Sequence, residues 1–176
     1  MVPAIETARL RLRGFNTADV TAQTAMLGDP EVVRYRGGQA QSREQAWRRL
    51  LAGAGMWPVL GYGYWAVERL ADGVMIGQVG FGDFKRDLDP SIEGVPEMGW
   101  VFASGAHGQG YATEAAMAAL EWGDRMLPGH SFAAIIDPAN QPSIRLARKL
   151  GFGEGQHARY EGAPILLFRR PAARAA

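Results

Sequence analysis

The stretch HGQGYATEA, residues 107–115, decides the fold. It follows EMGWVFA (97–103), a run of bulky apolar residues with strand character. It then runs straight into an alanine-rich segment. Ala112, Ala116, Ala119, Gly123 and Met126 recur at helical spacing, which predicts a helix over 111–127 lying close against a sheet or a ligand. A helix N-terminus leaves several N–H groups unpaired and carries partial positive charge. Gly108 and Gly110 clear a path to those groups, so the N–H groups of roughly Gln109 to Thr113 can receive a pyrophosphate. A plain strand-to-helix turn suits the same two glycines. A nucleoside triphosphate loop needs GxxxxGK[ST], and no lysine follows here. A dinucleotide fingerprint needs a third glycine, where this chain has Thr113, and belongs on a first strand.

Downstream, SFAAIID (131–137) is apolar on both faces, as a buried parallel strand is. The unit 97–137 therefore implies two parallel strands joined by a right-handed crossover. Asn140 and Pro142 open a second helix that runs to Leu150 and stops at Gly151. Strands near 152–158 and 164–169 follow. Upstream, RLRLRGF (9–15) alternates like a half-buried strand. Thr17 and Asp19 offer caps for a helix through Leu27, ended by the DP at 29–30. Ser42 and Gln45 form a capping box for a helix to about Leu51, with GMWP and GYG read as breakers. YWAVERL (64–70), a turn at Asp72-Gly73 and VMIGQVGFGDF (74–84) predict a β-hairpin, followed by a polar loop over 85–96. The class is mixed α/β.

Composition narrows the chemistry. The 176 residues, 47% of them hydrophobic, suit one domain over 1–170 with a basic flexible tail at 171–176; RRPAARAA reads as a solvated end. The chain has no cysteine, which excludes a disulfide framework, thiolate zinc and an acyl-cysteine intermediate. A net charge of +1 gives no field for nucleic acid. The opening MVPAIETARLRLR lacks an apolar core of signal length, and no run approaches the ~20 apolar residues of a membrane span, so a cytoplasmic protein is expected.

The loop resembles the acyl-CoA-binding motif Q/R-x-x-G-x-G/A of the GNAT N-acetyltransferase superfamily, and Ala112-Thr113-Glu114-Ala115 is similar to its branch of ribosomal-protein N-terminal acetyltransferases. TARLRLRGF with TADV, DPEVVRY (29–35) and NQPSIRLARKLGF (140–152) resemble other segments of that branch in the same order. The resemblance implies the GNAT fold: a central mixed sheet with a splayed parallel strand pair and flanking helices. It implies acetyl-CoA as cosubstrate, no metal, and an amine acceptor, either a peptide or protein N-terminus or a small molecule. A non-catalytic acyl-CoA-binding module on the same fold is the alternative, and a homodimer stays open.

Carried onto this sequence, the resemblance assigns His107, Gly108, Gln109, Gly110, Tyr111, Ala112 and Thr113 to the CoA pyrophosphate, with His107 where the family carries Arg or Gln. Asn140 would bond the pantetheine amide, or cap its helix, or both. Ser143 would face the thiolate, and Ala147 stands where many members carry an acidic tyrosine. The thioester carbonyl would take its donor from strand 97–103, at Phe102 or a neighbour. Glu97 is the expected base for the amine, with Glu93 second; a solvated strand end is the bland alternative for Glu97. Arg145, Arg148 and Lys149 share one helix face that a 3′-phosphate or solvent would meet. Trp57, Tyr62, Tyr64, Trp65, Phe81 and Phe84 form either an acceptor pocket or core, and Tyr160 is a spare hydroxyl.

Overall fold

The computed structural model describes residues 1–173. One eight-stranded sheet runs from Ile5 to Arg170: β1 (Ile5–Glu6), β2 (Leu10–Arg13), β3 (Tyr64–Arg69), β4 (Val74–Gly82), β5 (Glu97–Phe102), β6 (Phe132–Ile136), β7 (Gln156–Tyr160) and β8 (Ala163–Arg170). Their order is β1-β2-β3-β4-β5-β6-β8-β7, and only β5 and β6 run parallel. The expected strand at 9–15 and the hairpin at 64–84 are present, with Leu10 and Leu12 fully buried. Among the described residues five α-helices flank the sheet: α1 (Val20–Gly28), α2 (Pro30–Val33), α3 (Arg43–Leu60), α4 (Tyr111–Met126) and α5 (Gln141–Lys149).

Small residues on α4 explain how closely it lies on the sheet. Ala115, Ala116 and Ala119 are fully buried, and a Cβ on Gly123 would press into Phe81 and Phe132. Met126, expected on that stripe, is exposed instead. The opposite face is covered by α1 and α3, whose Met26, Leu27 and Ala46 pack on Ala66, Met75 and Val101. Loop 84–96 is less polar in role than in composition. Its Leu88 and Ile92 are buried against Ala133, Ile165 and Leu167, covering part of the sheet that no helix reaches.

Several boundaries differ from the sequence reading, among them the strand expected near 152–158, which is β7 at Gln156–Tyr160. The first cap is Asn16, which exchanges bonds with Asp19, while Thr17 opens a short 3-10 turn. Asp29 ends α1 but also caps α2. The Ser42–Gln45 capping box is present, yet α3 continues through GMWP to Leu60. Trp57 explains the extra turns: it is buried edge-on between Trp65 and Trp122, and its indole N–H donates to the Tyr64 carbonyl at 3.0 Å. Pro58 sits in the last turn, where its missing N–H removes a single helical bond. Arg169 and Arg170, read as a frayed end, lie in β8, and Arg170 grips both Asp124 oxygens at 2.7 and 2.8 Å. Of the tail at 171–176, residues 174–176 fall outside the described residues.

Candidate active site

The parallel pair β5–β6 touches at one end. Glu97 is the only β5 residue in register with β6, opposite Ala133, and the Ala133 N–H donates to the Pro96 carbonyl at 3.1 Å. Beyond that point the strands part. On the other edge of β5, the Ala103 N–H donates to Ile76 of β4 at 2.9 Å. Backbone groups alternate sides along a strand, so those of Trp100 and Phe102 face the gap, where β6 offers them no register partner. Both helices that follow these strands open at the wide end of the gap.

The glycine loop sits there. Gly108 and Gly110 adopt φ of 72° and 81°, the left-handed region that favours glycine. Gly110 caps α4 with no side-chain hydrogen bond, so the first N–H groups of the helix, at Tyr111 to Thr113, stay free of side-chain caps. The loop is braced from the turn between β1 and β2. Arg9 donates to the Gln109 carbonyl at 3.0 Å and to Glu114 at 2.7 Å, and lies 4.5 Å over the Tyr111 ring; Thr7 donates to Glu114 at 2.7 Å. Burial raises the Glu114 pKa, but the bonds from Thr7 and Arg9 outweigh it and hold the carboxyl below its usual value.

Two residues assigned to the pyrophosphate point elsewhere. The His107 ring bonds the Phe102 carbonyl at 2.9 Å; a carbonyl only accepts, so Nε2 carries the hydrogen. The Gln109 side-chain amide donates to the Gly105 carbonyl at 2.7 Å. Both side chains shape the loop, leaving its backbone as the donor set. Asn140 does cap α5, accepting from the Ser143 N–H at 3.2 Å. The Ser143 hydroxyl accepts from the Trp100 indole across the gap at 3.2 Å and keeps its own hydrogen to donate. Ala147 is fully buried in the core. On the outer side of α5, Arg148 pairs with Glu154 at 3.0 Å while Arg145 and Lys149 are exposed.

The other side of the narrow end is built from side chains. Glu97 is 5% exposed, and both its oxygens accept from Arg86, at 2.6 and 2.9 Å. Burial opposes the Arg86 charge; the bonds to Glu97 more than restore it and lift its pKa above the usual value. Arg86 also lies 4.7 Å over the Phe84 ring and 4.8 Å over the Tyr160 ring. Tyr64 crosses the sheet beside them. In register with it are Gly80 on β4 and, next, Gly99 on β5; a Cβ on Gly99 would strike the Tyr64 hydroxyl. Burial first, then the Glu97 charge, push that phenol well above its usual pKa, so it stays protonated. Glu93 is exposed and pairs with Lys85 at 3.2 Å.

The aromatic set divides. Trp57, Tyr62, Trp65 and Phe81 are core, and Tyr64 and Phe84, 6.3 Å apart, line the site with Tyr160. Sequence reasoning passed over Arg86, Arg9 and the reach of Tyr64. The last had a signal: Gly80 and Gly99 fall on adjacent strands beside Tyr64, which only a predicted register would have shown. Two surface hollows, one by Arg43 and Trp47, one by Trp57 and Trp122, contain none of these groups. Among the described residues no cluster of His, Asp and Glu is placed to hold a metal, and no helix is long and apolar enough to cross a membrane.

Comparison with known proteins bears on the family and the fold. Residues 9–153 match the model of the acetyltransferase (GNAT) domain. The Bacillus subtilis protein YkkB is 33% identical over 169 residues, 93% of each chain. A Bordetella pertussis structure assigned to the GnaT-family acetyltransferases is 33% identical, with a TM-score of 0.83 over 96% of this chain and 99% of that one. RimL, a ribosomal L7/L12 alpha-N-protein acetyltransferase solved in complex with coenzyme A, shares the fold at 16% identity, with a TM-score of 0.75 over 96% and 98%.

Proposed function

From the premise that this chain belongs to the GNAT acetyltransferase family and is an acetyl-CoA-dependent acetyltransferase, we propose that it acetylates a primary amine by direct attack in a ternary complex. The observation that carries this reading is the gap between β5 and β6, where the N–H groups of Trp100 and Phe102 have no register partner in β6 and a glycine-led helix without a side-chain cap opens at the mouth.

The residues fit coenzyme A. The N–H groups from Gly108 to Thr113 take the diphosphate, on the partial positive charge of α4. The Asn140 amide group and the Ser143 hydroxyl lie at the α5 mouth, where a pantetheine arm and its sulfur would pass. The Phe102 N–H, or that of Trp100, meets the acyl oxygen; fixed donors of this kind favour developing negative charge. Acetyl-CoA brings an acyl group that is already activated. What the chain adds is position, and a home for the amine proton. Glu97 is the group assigned to that proton, directly or through a water. Arg86 bonds both of its oxygens and so fixes the orientation of the carboxylate. RimL, which carries its own coenzyme A on this fold, supports the cosubstrate assignment. The acceptor is a small-molecule amine or a peptide N-terminus.

The test is amine-dependent release of CoA thiol, in wild type and Glu97→Gln. We expect turnover to fall by about 10²-fold or more in the variant, with acetyl-CoA affinity unchanged. An unchanged rate would remove Glu97 as the base.

A further inference from the structure

Tyr64 is anchored on β3, but its hydroxyl ends two strands away. Tyr64 stands in register with Gly80 of β4, and Gly80 with Gly99 of β5. The side chain passes β4 at one glycine and arrives at another. A Cβ on Gly99 would strike the hydroxyl oxygen and come within 3.3 Å of the ring carbon that bears it. No other side chain claims that oxygen. Among the described residues it has no hydrogen-bond partner, yet it is not one of the sealed, unpaired polar atoms, which are the amide oxygens of Gln23 and Gln41. The hydroxyl of this half-buried tyrosine therefore still meets solvent, beside the β5–β6 gap. Its neighbours along β5 belong to the site. Glu97 lies two residues before Gly99, on the same face and ~7 Å along the strand. Trp100 is the next residue: its backbone N–H faces the gap, and its indole goes to the opposite face, to Ser143.

We propose, on the reading above, that Tyr64 is a catalytic residue whose hydroxyl, from the acceptor side, joins the Trp100 N–H as a second donor to the acyl oxygen of acetyl-CoA. An oxygen that accepts from the Trp100 N–H lies ~2.9 Å from that nitrogen, within reach of a hydroxyl held over Gly99. The amine nitrogen bonds the acyl carbon, and the C=O pair moves onto the oxygen, where two fixed donors meet it. As that pair returns, the C–S bond breaks. The amine proton passes to Glu97, and the thiolate takes a proton from solvent. Tyr64 keeps its own proton throughout. Burial and the Glu97 charge hold that proton more tightly than an ordinary phenol does, which suits a hydrogen-bond donor and not an acid for the thiolate. The two glycines then share a purpose. Gly80 lets the β3 backbone at Gly63 and Tyr64 lie close, and Gly99 leaves room for the oxygen.

The first test needs no acceptor. Acetyl-CoA isotope-labelled at the acyl carbonyl is bound to wild type, Tyr64→Phe, Gly99→Ala and the double variant, and the carbonyl stretch is read by infrared difference spectroscopy. A hydrogen bond to the oxygen lowers that stretch, so Tyr64→Phe should raise it. Gly99→Ala leaves the hydroxyl in the chain but pushes it aside. It should raise the stretch as well, and add nothing in the Tyr64→Phe background. Amine-dependent thiol release should fall about tenfold in either single variant and no further in the double, since one of two oxyanion donors is lost once. Its pH profile should keep its position in Tyr64→Phe, because the phenol moves no proton. Thermal melts check each fold: Gly99→Ala should cost stability in wild type and little in the Tyr64→Phe background. A carbonyl band that neither substitution moves overturns the inference, as does a displaced pH profile or a double variant in which two full losses multiply. Failure of wild type to bind acetyl-CoA sinks the transferase reading itself, whereas binding with an unmoved band sinks only the role of Tyr64.

Discussion

The cofactor end and the acceptor end of the β5–β6 cleft are made of different materials. At the end proposed for the cofactor the uncapped donors are backbone N–H groups, and side chains such as Arg9, Gln109 and His107 hold that backbone in place. At the end proposed for the acceptor the backbone is paired into the sheet, and the polar groups are the side chains of Glu97, Arg86 and Tyr64. Backbone donors bind the same group whatever the neighbouring side chains are. Side-chain donors can be exchanged one at a time. The contrast suits a site that takes a fixed cosubstrate on one side and a chain-specific acceptor on the other.

Four substitutions probe this division. Gly110→Glu should act most strongly. It forces a side chain into φ of 81° and sets a carboxylate at the diphosphate, so acetyl-CoA affinity should fall about a hundredfold or more by calorimetry. Retained affinity would mean that the cofactor is held by side chains after all. Tyr64→Phe should touch only the other half. Loss of one hydrogen-bond donor should lower kcat/KM for the amine about tenfold, with the acetyl-CoA Kd unmoved.

Glu114→Gln tests the brace. It should cost about 1 to 2 kcal/mol in denaturant unfolding and loosen acetyl-CoA severalfold. The sign of the pH effect follows from the lowered folded pKa of Glu114. Its contribution is complete above the unfolded value near 4.5 and is lost as pH falls through the folded value. Wild type should therefore lose more stability on acidification below about pH 4.5 than the variant does. His107→Ala should be the mildest, weakening acetyl-CoA about threefold, through a less well-held Phe102 carbonyl. A hundredfold loss there would restore the imidazole to the diphosphate.

The same contrast explains what the sequence disclosed. Gly108 and Gly110 were legible because a left-handed backbone before a helix admits few other residues, and the alternating Leu10 and Leu12 gave their strand away by period alone. Ser42–Gln45 and Asn140 declared their caps for the same local reason. The end of α3 did not, because a tertiary contact of Trp57 overrides the breaker signal of Pro58. Resemblance pointed to Glu97 as the base, but nothing in the sequence pointed to its ion-pair partner. Arg86 lies in a segment whose course is set by Leu88 and Ile92, two apolar anchors hidden among polar neighbours.

The brace on the glycine loop also sets an order of assembly. The contacts of Thr7 and Arg9 with Glu114 join positions 105 to 107 residues apart in the chain. Until the first strands and α4 have met, the loop lacks its clamp, and closing so long a segment is slow relative to local folding. A nascent chain therefore acquires its cofactor site late, after most of the sheet has been made. The linkage runs the other way in the finished protein. Acetyl-CoA on the loop stabilises by mass action whatever keeps the loop in shape. Saturation with cofactor should slow amide exchange in β1 and β2, the part of the sheet farthest from the cleft in strand order.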